Sequence, residues 1–115
     1  MAEDSAEYRG LLRYFLQPWR LELTETSAVA EASQLAGARA FDLYIIDLQL
    51  IDGDSIAVLD DLGRRGLTAK CVVLTAFPRV ARAFTDIPVV DKSRLNLLGE
   101  HLVRILGQPL RGKEM

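Results

Sequence analysis

The sequence predicts an α/β fold in which a parallel β-sheet is covered by helices on both faces. Two observations support this prediction. Short apolar runs alternate along the chain with segments whose apolar residues recur at helical spacing. Most of the apolar runs are continuous, as in strands that are buried on both faces. With 115 residues, of which 50% are hydrophobic and 26% are charged, the chain can bury one core as a single globular domain.

The helices are predicted from apolar spacing and from residues that end helices. Leu11, Leu12 and Phe15 lie on one face of the first helix, and Pro18 stops it. Gly37 stands where the second helix should end. The predicted helices cover residues 6–17, about 27–36, about 56–65, at most two turns after Pro78, and 95–106.

Four segments are predicted as strands. The run CVVLT, residues 71–75, is short, apolar and rich in β-branched residues, which favours a strand over a helix. The segment 41–50 contains the apolar run LYII. Residues 20–25 alternate Leu21 and Leu23 with polar side chains, as a half-buried strand does. The run IPVV, residues 87–90, is the last predicted strand.

Charge and cysteine content exclude several classes of protein. The net charge of −2 gives no general field that would attract nucleic acid or an anionic membrane. One cysteine, Cys71, cannot form an internal disulfide framework or a cysteine-cluster zinc site. The acidic opening MAED is unlike a signal peptide, and no apolar run is long enough to span a bilayer. We therefore expect a cytoplasmic protein that binds neither membrane nor nucleic acid directly.

Polar residues end the predicted strands at one edge of the sheet. Asp47, Thr75 and Lys92 lie at or just after strand ends, and Glu3 and Asp4 precede the first helix. In an open parallel sheet, ligands bind beyond the carboxyl ends of the strands. Carboxylates suit magnesium, while a hydroxyl and an ammonium can contact the oxygens of a phosphoryl group. The sequence therefore predicts a site that handles a metal and a phosphoryl group.

Three strings resemble the receiver domains of two-component response regulators. They are FDLYIIDLQLIDGDS, VVLTAF and VVDKS, in this order, and the resemblance extends over residues 3–107. It implies a CheY-like, flavodoxin-like sheet flanked by helices on both faces, with four strands plus a vestigial or missing first strand. The receiver domain would cover residues 1–107, and residues 108–115 would form a disordered C-terminal tail.

The resemblance also implies a role for each site residue. Asp47 would accept a phosphoryl group, Thr75 would hydrogen-bond one of its oxygens, and Lys92 would pair with the acyl phosphate. The magnesium ligands would be Glu3, Asp4, Asp47 and the backbone carbonyl of Gln49. The implied partners are a histidine kinase or phosphotransfer protein and a downstream signalling protein. Such a domain is not an enzyme beyond catalysing its own phosphoryl transfer and dephosphorylation.

The start of the chain departs from the receiver pattern. Receivers begin with a central strand of about five residues, but only Met1 and Ala2 precede Glu3. Three explanations stay open: the start is trimmed, residues 20–25 slide beside residues 43–47, or another chain fills the space. A homodimer is therefore one alternative. Sliding is slightly favoured, and a loose terminus would weaken metal binding by Glu3 and Asp4.

Two further departures affect the later part of the chain. The segment between Thr75 and Lys92 is short for a receiver, so the fourth helix should have only one or two turns. Val89 stands three residues before Lys92, where receivers usually carry an aromatic switch residue, and Ser93 replaces the usual proline. Signalling by rotation of that aromatic residue is not expected here.

Two other functions compete with a phosphorylated receiver. The first is a pseudo-receiver that binds a protein or dimerises without phosphorylation, which the short first strand and fourth helix favour. The second is a phosphatase of the haloacid dehalogenase type, whose aspartate nucleophile also ends a parallel strand. That chemistry requires a second aspartate two residues later, where this chain has Gln49, so the phosphatase is the weaker alternative.

Overall fold

The computed structural model describes residues 1–50, 53–54 and 56–108, so most of the predicted tail lies outside the described residues. The strands are β1 Tyr44–Asp47, β2 Gln49–Leu50, β3 Gly53–Asp54, β4 Cys71–Thr75 and β5 Val89–Asp91. A parallel sheet forms the centre, with strands in the order β1-β4-β5. The helices are α1 Ala6–Leu16, α2 Val29–Ala38, α3 Ile56–Arg64, α4 Pro78–Phe84 and α5 Leu98–Leu106. β2 and β3 pair in a separate antiparallel hairpin.

The first strand is present as a vestige at the expected central position. Ala2 forms isolated parallel bridges to Ile46 on one side and Thr26 on the other. Its amide donates to the carbonyl of Ile45 (2.8 Å), and its carbonyl accepts from the amide of Asp47 (2.8 Å). The prediction of a vestigial first strand is therefore confirmed.

The segment 20–25 differs from its prediction. It forms no regular strand. It does not lie beside β1, because Ala2 already pairs with that side of β1. Leu21 and Leu23 are half-buried and pack against the hydrophobic cluster under α1 and α5. The alternating pattern thus arises from packing on helices, and the sheet has one strand fewer than predicted.

Two hydrophobic clusters lie on opposite faces of the sheet, as expected for a doubly covered α/β fold. One cluster joins β1 and β4 to α2 and α3, and Ala2 contributes to it. The other joins the sheet to α1 and α5, with its centre at Leu12, Leu98 and Leu102, all fully buried. Cys71 is buried in the first cluster, as its place in an apolar strand suggests.

Two helices have boundaries that differ from their predictions. α2 runs from Val29 to Ala38, two residues later at both ends than predicted. Near its end the guanidinium of Arg65 donates to the carbonyl of Ala36 (2.6 Å), so this carbonyl is satisfied without a glycine cap. The last α-helix begins at Leu98 instead of residue 95, since residues 92–97 form 3₁₀ turns in which Arg94 has non-helical dihedral angles. α4 has seven residues, which confirms the prediction of at most two turns.

The amino end of the sheet contains a groove of about 280 Å³. Residues 21–24 and 42–45 line it, together with Ala36 and Leu106. This is the region beside the short first strand. Among the described residues, no helix is both long and apolar enough to cross a membrane.

Candidate functional site

Three predicted site residues lie at the carboxyl edge of the parallel sheet. Asp47 ends β1 and Thr75 ends β4, and the register of these strands places Asp47 opposite Leu74. Thr75 is in turn opposite Asp91 of β5, and Lys92 follows directly. Both Asp47 and Thr75 are buried. The sequence prediction of one shared edge is thus confirmed.

Lys92 joins two buried carboxylates. Its Nζ lies 2.9 Å from Oδ2 of Asp47 and 2.7 Å from Oε1 of Glu3. The side chains of Glu3 and Asp47 are only 2% and 5% exposed. Charges at this depth require a partner, because burial without one costs several kcal/mol. The ammonium therefore compensates part of the charge of this pair.

Glu3 is held by its backbone and by its side chain. Its amide donates to the carbonyl of Thr26 (2.9 Å), and its carbonyl accepts from Nη1 of Arg9 (2.7 Å). Oε2 accepts from the amide of Ser5 (3.0 Å). Three residues of vestigial strand are thus sufficient to fix this carboxylate, and the predicted loose terminus is not observed.

The carboxylates of Glu3, Asp4 and Asp47 come together in one cluster. Each contributes an oxygen, and these oxygens all lie within 4.8 Å of one another. Asp4 is exposed, whereas the other two are buried. The single ammonium of Lys92 cannot neutralise three carboxylates, so the cluster keeps a negative charge. Carboxylate oxygens are ligands that Mg²⁺ prefers. The predicted convergence of residues 3 and 4 on Asp47 is therefore observed.

The charge balance of this cluster suits a cation. Oε1 of Glu3 is ion-paired with Nζ of Lys92 at 2.7 Å, but the same ammonium also serves Asp47, and three carboxylates come together in this cluster. The residues present fit a divalent cation, since its charge would balance the carboxylates that one ammonium leaves uncompensated.

The site alters the acid–base properties of its own groups. Burial raises the pKa of the Glu3 carboxyl, and the ion pair with Lys92 only partly offsets this effect. Burial lowers the pKa of the Lys92 ammonium, but its contacts with Asp47 and Glu3 outweigh burial, so the pKa is raised. The difference arises because Lys92 has two anionic partners, while Glu3 has one cation and the charge of Asp47 nearby.

Two local turns orient the remaining predicted residues. The amide of Gln49 donates to Oδ1 of Asp47 (3.1 Å), and Oγ1 of Thr75 accepts from the amide of Phe77 (3.0 Å). These bonds fix both side chains from the loops that follow their strands. The metal-binding role of the Gln49 carbonyl and the phosphoryl contact of Thr75 stay predictions.

Tyr8 belongs to this site and was missed by sequence reasoning. Its hydroxyl donates to the backbone carbonyl of Lys92 (3.0 Å), and the Nζ of Lys92 lies 4.9 Å from the centre of its ring. Its sequence signal was its position four residues after Asp4, which places it on the first turns of α1. Helical spacing places it on the same face as Leu11, Leu12 and Phe15 and gives no sign of a contact with Lys92.

Ser93 takes part in a compact turn after Lys92. Its amide and its hydroxyl both donate to Oδ1 of Asp91, at 2.9 and 2.8 Å. These hydrogen bonds lower the pKa of the Asp91 carboxyl. No cis peptide bond occurs among the described residues, so the Lys92–Ser93 bond is trans. The turn is therefore built by side-chain capping.

A comparison with solved structures identifies the fold. The chain is similar to the receiver domain of the Francisella response regulator 1452, with a TM-score of 0.72 and 16% sequence identity. The match covers 90% of this chain and 92% of that domain. The sequence matches no protein-family model and no curated protein. The chain therefore has the fold of a response-regulator receiver domain, as its sequence strings predict.

Proposed function

We propose that this chain is a receiver domain that accepts a phosphoryl group on Asp47 and signals to a protein partner. The observation that carries the proposal is the placement of Lys92 between two buried carboxylates, beside the exposed Asp4. The receiver fold supports the same conclusion. The donor would be a histidine kinase or phosphotransfer protein, and the domain would work in the cytoplasm.

The reaction would be a displacement at phosphorus. A carboxylate oxygen of Asp47 forms a bond to the phosphorus while the bond to the donor's nitrogen or oxygen breaks, and the donor leaves with that electron pair. The product is an acyl phosphate. Lys92 can contact one phosphoryl oxygen and the Thr75 hydroxyl another, because both lie at the edge where Asp47 ends its strand.

Magnesium is proposed as the cofactor, held by Glu3, Asp4, Asp47 and the carbonyl of Gln49. When bound, Mg²⁺ would neutralise the charge on the transferred group. The chain's own part is to present these oxygens at a buried position. Glu3 does so through its hydrogen bonds to Ser5 and Thr26, which hold it independently of any ion.

Intact mass after incubation with Mg²⁺ and acetyl phosphate tests the proposal. We expect a gain of about 80 Da in the wild-type protein, the mass of one phosphoryl group. The gain should be absent in Asp47→Asn, which keeps the shape of the side chain, and present in the control Asp42→Asn. A wild-type protein that stays unmodified under these conditions would refute phosphorylation of Asp47.

Exposed apolar residues in α4 and just before it favour a second function. Phe77, Val80 and Phe84 are 62%, 52% and 63% exposed, and exposed apolar clusters often mark protein-binding sites. A pseudo-receiver would use such a surface, in a homodimer or with another protein, whatever the state of Asp47. Sedimentation equilibrium tests the homodimer, because a pseudo-receiver of this kind should self-associate measurably and equally in wild type and Asp47→Ala, with and without acetyl phosphate.

A further inference from the structure

Tyr8 contacts both the backbone and the side chain of Lys92. We propose that Tyr8 is a positioning residue, which holds the Lys92 ammonium against the acidic cluster during phosphoryl transfer. This proposal rests on the proposed function. It assigns a role to an α1 residue whose ring and hydroxyl reach the strand end that carries Lys92.

The hydroxyl of Tyr8 fixes the backbone of Lys92. Asp91 and Ser93 form the turn on one side of this residue, and the Tyr8 hydroxyl binds its carbonyl from the other side. Burial raises the pKa of the Tyr8 hydroxyl, so it stays protonated at neutral pH and keeps its role as donor. The backbone from which the Lys92 side chain extends is therefore held by the Asp91–Ser93 turn and by Tyr8.

The ring of Tyr8 restricts the ammonium of Lys92. A lysine side chain has four flexible carbon atoms and a compact charge, so its ammonium can otherwise take many positions. At 4.9 Å from the ring centre, Nζ is within the range of a cation–π interaction. This contact favours the rotamers that also reach Glu3 and Asp47.

A chain of contacts connects Tyr8 to the carboxylate on the other side of the ammonium. The amide of Ser5 donates to Oε2 of Glu3, and Oγ of Ser5 accepts from the amide of Tyr8 (3.1 Å). The same helix start therefore places Glu3 and, through Tyr8, its partner Lys92. The anion and the cation of the site thus share one rigid support.

Two variants separate the hydroxyl from the ring. Tyr8→Phe removes the bond to the Lys92 carbonyl, and Tyr8→Leu also removes the cation–π contact. We expect the rate constant for the Asp47 adduct at saturating acetyl phosphate to fall about threefold in the first and about tenfold in the second. Tyr14, on the same helix and 73% exposed, provides the matched controls Tyr14→Phe and Tyr14→Leu, which should react at the wild-type rate.

A second measurement does not depend on phosphorylation. We expect the NMR order parameter of the Lys92 ε-methylene group to be lower in Tyr8→Leu than in the wild type, because the ring no longer restricts the side chain. An equal order parameter, or an equal rate in a reactive protein, would overturn the proposal. If wild type forms no adduct, the proposed function fails and the order parameter alone decides the role of Tyr8. If Tyr8→Leu does not fold, Tyr8→Phe decides through the backbone order parameter of Ser93, whose amide shares a peptide plane with the Lys92 carbonyl and should become more mobile when the hydroxyl bond is lost.

Discussion

The vestigial first strand has different surroundings at the carboxyl end and at the amino end of the sheet. At the carboxyl edge, Glu3 is buried, hydrogen-bonded through its backbone and paired with Lys92. At the amino end of the sheet, the same strand borders a groove lined by residues 21–24 and 42–45. A few paired residues can therefore place a buried carboxylate without a full central strand. Three backbone hydrogen bonds around Ala2 and Glu3 are sufficient.

The largest expected effect concerns packing at the two edges. Leu98 is fully buried where α5 starts near the carboxyl edge, whereas Leu23 is half-buried in the groove wall. We expect Leu98→Ala to lower the free energy of unfolding by about 3 kcal/mol, and Leu23→Ala by less than about 1 kcal/mol. Urea denaturation of both variants measures the difference. Equal losses would mean that the two edges are packed alike.

A substitution in the acidic cluster of Glu3, Asp4 and Asp47 should raise the free energy of unfolding, by less than Leu98→Ala lowers it. Glu3→Gln removes a buried charge and keeps an oxygen that can accept from Ser5, so it should raise the stability of the metal-free protein by about 1 kcal/mol. The same change should weaken Mg²⁺ binding about tenfold or more, because one ligand charge is lost. Thermal melting and calorimetric titration measure the two effects.

The exposed Glu7 on α1 provides the matched control. Glu7→Gln changes the same charge without touching the cluster, so melting and Mg²⁺ affinity should stay near their wild-type values. Loss of stability in Glu3→Gln, together with unchanged Mg²⁺ affinity, would show that Glu3 is a structural partner of Lys92 alone.

The smallest expected effect is a dependence on pH. The pKa of Glu3 is higher in the folded protein than in the unfolded chain, where it is 4.5. Glu3 therefore contributes fully to stability below pH 4.5. That contribution is lost as the pH rises through the raised pKa of the folded protein. The gain in melting temperature of Glu3→Gln over wild type should therefore be larger at about pH 8 than at about pH 5. A gain that is constant with pH would contradict a raised pKa for Glu3.

The sequence predicted correctly the elements whose own residue pattern defines them. The strand at residues 71–75 has the predicted bounds, because five consecutive apolar or β-forming residues need burial on both faces. The strand ends at Asp47, Thr75 and Lys92 then define the site edge, since parallel strands share a direction. Their position before the first helix made Glu3 and Asp4 candidates, and the resemblance to receivers supplied their role as metal ligands.

The errors come from contacts between distant parts of the chain. Gly37 does not cap α2, whose Ala36 carbonyl instead accepts from Arg65, far away in sequence. Leu21 and Leu23 alternate like a strand but are held by helices. Tyr8 acquires its role only when α1 packs beside Lys92. A side chain that bridges two elements leaves no periodic signal in either of them.

The indole of Trp19 connects the ends of two helices. It stacks on Phe15 with ring centres 6.2 Å apart, and its Nε1 donates to the carbonyl of Gly107 just after α5 (3.1 Å). Because the chain contains one tryptophan, its fluorescence comes from a single known place. The emission spectrum is thus a label-free optical probe of whether the last helix remains docked against the first.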